Sequence, residues 1–274
     1  MADFSYIAPN IIVGTDPAQS VAQVRASKPE VYKKAVLDCL DEIWDKSWTG
    51  TAVIQAIAKI SGKKVIITPF NDPFCNAESD PLPSWGKPGE ISVRFSPSAW
   101  SSNGSCSKGA PGSMPDEVLL HELVHAYRQM KGRVLGIGVS VPGFQYENEH
   151  EFYSILLTNI HMSVKNQRVL RRDHRRFSAP NSLMYPELSS SEPFLTNFSD
   201  HRRLVKAFVT ENSDLCTTIC RDQCAFNPIS YFMKNSLAMR QMDIHRAQPT
   251  KLELIDDANL QKMIDQSEKL LNKK

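Results

Sequence analysis

The residues HELVH, His121 to His125, carry the most legible chemistry in this chain. An α-helix turns about 100° per residue, so side chains four positions apart stand one above the other on a single face. His121 and His125 are then within reach of one small ion. Glu122 is rotated away from that axis and borders it without filling a coordination position. Two imidazoles that bind zinc, with a glutamate placed to take a proton from an attacking water, are what a zinc hydrolase needs.

Such sites add one more protein ligand and keep a fourth position open. The nearest acceptors are Glu147, Glu149, His150 and Glu151, at the start of ENEHEFYSILLTNIHMS. Spacing does not choose among them, because the intervening VLGIGVSVPGFQY can return from either direction. Glu151 shares a helical face with Ile155 and lies beside Phe152, which turns it inward. Glu147 and Glu149 also read as solvated first-turn acids favoured by the helix dipole. Amide hydrolysis further requires a donor aimed at the oxygen that becomes negatively charged. Tyr146, just ahead of this helix, is the candidate, with Tyr185 and His174 as alternatives.

These side chains need elements to hold them. The stretch SMPDEVLLHELVHAYRQMKG reads as one helix: Ser113 and Asp116 resemble a capping box, Pro115 suits the first turn, and Lys131 with Gly132 reads as an end. Val118, Leu119, Val124 and Ala126 give it an apolar side. Upstream, Val31, Ala35, Leu37, Cys39, Leu40 and Ile43 recur at helical spacing, as do Ala52 to Ile57, predicting two helices joined near Trp48 and Gly50. KVIITP (64–69) and EISVRF (90–95) read as strands, joined by a loop rich in Pro, Asp and Asn.

Residues 1–28 read as an N-terminal arm, with a short strand near Tyr6 to Val13 broken by Pro9. Residues 29–177 form the expected catalytic core. The Pro- and Ser-rich stretch 178–193 marks a boundary, so that 178–274 form a helical region packed on the core. Within it, residues 254–271 form an amphipathic helix expected to close the fold. The order of parts predicts an α+β, zincin-like fold with a small sheet packed on the HELVH helix.

Composition narrows the partners. With 32 basic and 30 acidic side chains in 274 residues, the net charge of +2 gives no global pull toward nucleic acid or membrane. No apolar run approaches the roughly 18 residues needed to span a bilayer. Six cysteines without a Cys-x-x-Cys pair read as reduced thiols and favour a cytosol. The N-terminus, with Asp3 and no cationic start, is not a Sec-type signal. Cys216, Cys220 and Cys224 recur every four residues and read as buried structural cysteines in preference to a soft-metal stripe. The arginines of NQRVLRRDHRRF (Arg168, Arg171, Arg172, Arg175, Arg176) read as a solvated helix face in preference to a dock for acidic substrate. His150, His161, His174, His201 and His245 have no partner at a ligand spacing, and read as surface or hydrogen-bonded residues.

HELVHAYRQMKG followed by NEHEFYSILLTNIHMS resembles the gluzincin branch of HExxH peptidases, most closely the NleD-like effector metallopeptidases of bacterial type III secretion systems. A more distant likeness is to the catalytic domain of anthrax lethal factor. The resemblance covers residues from about 50 to 177, and HELVH and EFYS are its specific parts. It implies zinc held by His121, His125 and Glu151, with Glu122 as base. It also implies a secreted virulence protein that leaves by a non-Sec route and cuts host signalling proteins such as kinases in the host cytosol. The lethal-factor-like pattern has an acid one turn after the ligand glutamate, where this chain has Ile155. The rival expectations are a non-catalytic zinc-binding interaction protein and a peptidase toxin of a polymorphic toxin system.

Overall fold

The computed structural model describes residues 4–15, 28–70, 77–80, 89–102, 104–106, 110–133, 146–167, 169–172 and 190–239. Three β-branched residues in a row form strand β1 (Ile11–Val13), preceded by the single turn α1 (Phe4–Ile7). Helices α2 (Pro29–Lys46) and α3 (Trp48–Ala58) follow, and carry the chain over to β2 (Lys64–Thr68), which lies parallel to β1 with Ile11 opposite Val65. β3 (Glu78–Asp80) and β4 (Glu90–Arg94) complete a four-stranded sheet of order β1-β2-β4-β3, with β4 parallel to β2 and β3 antiparallel at the edge.

The segment read as an arm therefore completes the sheet. Phe4, Ala8 and Ile11 are buried, and the Asn10 amide donates to the Ile57 and Ile60 carbonyls (2.7 and 3.3 Å) at the end of α3. β3 falls where the sequence reads as loop, since Glu-Ser-Asp has little strand propensity. Its hold comes from elsewhere: Glu78 pairs with Arg94, and Ser79 exchanges hydrogen bonds with Gln129.

α2 and α3 are separated only by Ser47, whose hydroxyl caps α3 by accepting from Gly50 N at 3.0 Å. A Cβ on Gly50 would lie 2.0 Å from the Ile43 carbonyl oxygen, so only glycine lets the two helices meet this closely.

After the short α4 (Pro97–Trp100) comes α5 (Pro115–Met130), the helix that carries HELVH. Every residue from Asp116 to Arg128 is buried, with β3, β4, α2 and α3 packed around it. Its cap is one residue later than the sequence suggests: Met114 is the N-cap, and Glu117, not Asp116, accepts from the Met114 N–H at 3.2 Å. Its end matches expectation, with Gly132 at φ +74 and Arg133 N donating to Arg128 O at 3.0 Å.

α6 (Glu149–Val164) packs along α5, capped by Asn148, whose side chain accepts from Glu151 N at 3.0 Å. α7 (Ser191–Thr196), α8 (Ser199–Glu211), α9 (Ser213–Ile219) and α10 (Pro228–Lys234) follow. One apolar cluster runs from Phe4 to Met239, so these helices share the core of the first half. The expected boundary lies mostly outside the described residues, as do residues 254–271. The architecture is α+β, and no helix among the described residues is long and apolar enough to cross a membrane.

A buried polar array ties α5 to α6. Asp116 accepts from His161 Nε2 at 2.9 Å and from Lys165 Nζ at 2.6 Å, while Lys165 also reaches Glu117 at 3.1 Å. The other face of the imidazole, Nδ1, meets the Ser47 hydroxyl at 2.7 Å. The Ser-His-Asp order looks like a nucleophile triad, but Ser47 is 5% exposed and its oxygen already caps α3. The array is a brace.

Burial alone would raise the Asp116 carboxyl, but the His161 and Lys165 interactions outweigh it and bring the pKa from 3.8 to about 2. A carboxylate held low contributes stability that is complete above about pH 4 and is lost as pH falls toward 2. The shift corresponds to about 2 kcal/mol. Chemical denaturation should find Asp116→Asn less stable than the wild type by about that amount at pH 7, with the gap closing between pH 4 and pH 2.

Candidate metal centre

Asp116 near the start of α5 meets residues near the end of α6, so the two helices run antiparallel. That direction brings the later turns of α5 onto the first turn of α6. His121 Nε2 and His125 Nε2 lie 3.1 Å apart, and each is 3.3 Å from a different oxygen of Glu151. Ligand bonds of about 2.0–2.2 Å in a tetrahedron give edges of about 3.3–3.6 Å. The 3.1 and 3.3 Å separations are close to such edges, and one ligand atom from each of the three residues lies within 4.8 Å of the others, so the group could hold a metal ion. They form the one His/Cys/Asp/Glu group close enough to hold an ion among the described residues.

The electrostatics favour a cation. Burial opposes the charge on Glu151, but the two imidazoles outweigh it and hold the carboxyl well below its usual range. Burial pushes His121 down to about 3, against its bond to Glu151. Burial also works against the charge on His125, but there the bond and charge of Glu151 prevail and raise it. Glu151 is thus held ionised and His121 neutral, the forms in which they bind a metal, while the pairing with Glu151 favours the protonated form of His125, which a metal would displace.

Glu122 lies next to this group and outside it. Burial pushes its carboxyl up to about 7, with the His125 charge opposing and the Glu151 charge adding. It has no hydrogen-bond partner among the described residues. A buried carboxyl that titrates near neutrality with no structural bond is suited to proton transfer.

Of the acceptors that spacing left open, Glu147 is exposed and Glu149 half-buried, and neither joins the group. The Asn148 cap sets the helix phase, which turns Glu151 toward α5. His150 is buried with its ring parallel to that of His125 (centroids 6.4 Å apart, planes at 9°). Burial, with the Arg128 and His125 charges, lowers it to about 4. Tyr146 is buried, with ring contacts to Phe152 (5.1 Å) and His201 (5.9 Å). Tyr185, His174 and His245 lie outside the described residues.

Two expectations change. Arg171 is not on a solvated helix face but is 4% exposed. Its backbone is clamped by Asn159 (N to Oδ1 2.9 Å, O from Nδ2 2.7 Å), and its charge lowers both His121 and Glu122. Nothing local signals this, because it requires the chain to fold back along α6 after Asn166, at φ +61. Arg168, Arg175 and Arg176 lie outside the described residues. The all-thiol expectation fails at Cys106, which is disulfide-bonded. His161 and His201 are hydrogen-bonded, as expected, and lie in the core.

Cys39, Cys216, Cys220 and Cys224 are free. α9 stops at Ile219, so Cys220 and Cys224 do not continue a helical stripe, and burial pushes the Cys220 thiol up to about 11. A cavity of about 280 Å³ lies around Tyr127, Lys131 and the start of α9, and none of the three converging ligands lines it.

Comparison of the chain with family models, curated proteins and solved structures finds no match in any of the three. Function is therefore read from the residues and their geometry.

Elemental analysis should find one zinc per chain. Zinc at 100 times its Kd should stabilise the fold by about 2.7 kcal/mol. His121→Ala, His125→Ala and Glu151→Ala should each lose most of the bound metal and of this stabilisation. Equal zinc content in all three variants and the wild type would place the metal elsewhere.

Proposed function

We propose that the chain is a zinc-dependent endopeptidase with a zincin-like core. The observation that carries this is the convergence of His121, His125 and Glu151 beside Glu122, a buried carboxyl with no bond to the described protein. A purely structural zinc has no use for such a base. The sheet against α5, with β3 at its edge, agrees with the zincin reading.

His121, His125 and Glu151 would hold the ion, which when bound supplies Lewis acidity that brings the pKa of water to about 7 and polarises a carbonyl. Glu122 takes a proton from water as the water oxygen bonds to the scissile carbonyl carbon. The same carboxyl then delivers that proton to the amine nitrogen as the C–N bond breaks, so one water is consumed for each peptide bond cut. Tyr146, at the entry to α6, is the sequence-based candidate for a donor to the carbonyl oxygen.

The resemblance of HELVH and NEHEFYS to NleD-like effectors supports a narrower version. In it the substrates are host signalling proteins such as kinases, reached after export by a type III system.

Glu122→Gln should keep its zinc and lose cleavage of a randomised fluorogenic peptide library and of denatured casein by at least about 10²-fold. Zinc-loaded wild type that cleaves neither, or a Glu122→Gln variant as active as the wild type, would overturn the proposal.

A further inference from the structure

The three converging donors are not held equally by their helices. His121 and His125 stand in the interior of α5, where turns of helix on either side fix the backbone. Glu151 is only the third residue of α6. The first residues of a helix carry N–H groups that no intrahelical carbonyl can meet, and helix ends fray first. The donor that completes the group therefore sits where its helix is weakest.

One residue answers that weakness. The Glu151 N–H belongs to those orphaned donors, and the Asn148 side-chain oxygen accepts from it at 3.0 Å. The next N–H, of Phe152, donates to the Asn148 carbonyl at 3.2 Å. Side chain and main chain of Asn148 thus close the turn on which Glu151 stands. The cap ends on the main chain of Glu151 and leaves its carboxylate to the imidazoles, with one oxygen 3.3 Å from His121 and the other 3.3 Å from His125. Metal sites bind tightly when their ligands are held within about 0.5 Å of their places before the ion arrives. Loss of a group that orients a ligand costs about 10–100-fold in metal affinity.

We propose that Asn148 is a positioning residue of the metal centre, whose side-chain bond to the Glu151 N–H holds that carboxylate ready for the ion. The inference rests on the reading of His121, His125 and Glu151 as zinc ligands. Asn148 then contributes more to metal affinity than a helix cap of ordinary strength contributes to folding.

The test compares full-length wild type, Asn148→Ala, Asn148→Ser and Asn10→Ala, each stripped of metal and titrated with zinc against a chelator of known affinity. The Tm of the metal-free protein and the amide exchange of Glu151 are measured alongside. Serine caps a helix about as well as asparagine, whereas alanine accepts no bond. Asn10→Ala removes the bonds to the Ile57 and Ile60 carbonyls and serves as a variant weakened elsewhere. Asn148→Ala should bind zinc about 10-fold more weakly and exchange the Glu151 amide about 10-fold faster, with a Tm about 2–4 °C lower. Asn148→Ser should recover most of the affinity. Asn10→Ala should lose Tm by a similar amount yet hold zinc as the wild type does. The inference fails if Asn148→Ala binds zinc as tightly as the wild type, if Asn148→Ser binds no better than Asn148→Ala, or if Asn10→Ala weakens zinc equally. A wild type that binds no zinc would overturn the metal reading itself, and this inference with it.

Discussion

A helix buried from Asp116 to Arg128 while carrying Asp116, Glu117, His121, Glu122, His125 and Arg128 is the constraint from which the rest of the structure follows. Water does not reach these groups freely, so neighbouring elements must supply their partners, or the cost of burying them would exceed the stability of a domain. α6 answers most of that demand. Lys165 and His161 meet Asp116, Lys165 also meets Glu117, and Glu151 meets both histidines. The Arg128 guanidinium lies over the Tyr153 ring at 4.3 Å, and the Tyr153 hydroxyl donates to Leu204 O. Pairing of this kind fixes the register of two helices more sharply than apolar packing alone, since a shift by one residue would strand several charges at once.

The brace extends well beyond the two helices. His161 reaches Ser47, the single residue between α2 and α3, and Ser47 caps α3. Asp222, far along the chain, accepts from Trp48 N, Thr49 N and the Thr49 hydroxyl at the same helix start, and α9 packs on α3. The C-terminal helices therefore do more than cover apolar surface. Through α3 and Ser47 they bear on the alignment of His121, His125 and Glu151, which gives a physical reason for so much helix to follow Glu151.

Glu122 is buried, adjoins His121, His125 and Glu151, and has no hydrogen-bond partner among the described residues. Its carboxyl, pushed up to about 7 by burial, suits proton transfer. Arg171 adds a positive charge felt at both His121 and Glu122, held in place by its backbone clamp to Asn159.

The parts of this protein legible in its sequence are those that depend on local geometry. The spacing of HELVH puts His121 and His125 on one face in any helix, and apolar periodicity marks α2, α3, β2, β4, α5 and α6 within a few residues. Helix phase also favoured Glu151 over its neighbours, but the choice itself depended on the antiparallel approach of α6. The tertiary structure alone decided the features whose partners lie far away in the chain. β3 exists because the strand beside it offers a free edge, and Glu117 took the cap while His161 and Lys165 hold Asp116. Arg171 and His150 left the surface because packing on α5 and α6 enclosed them. A sequence reports what each residue prefers among its near neighbours. Which distant group meets it, or leaves it unmet, is settled only when the helices pack.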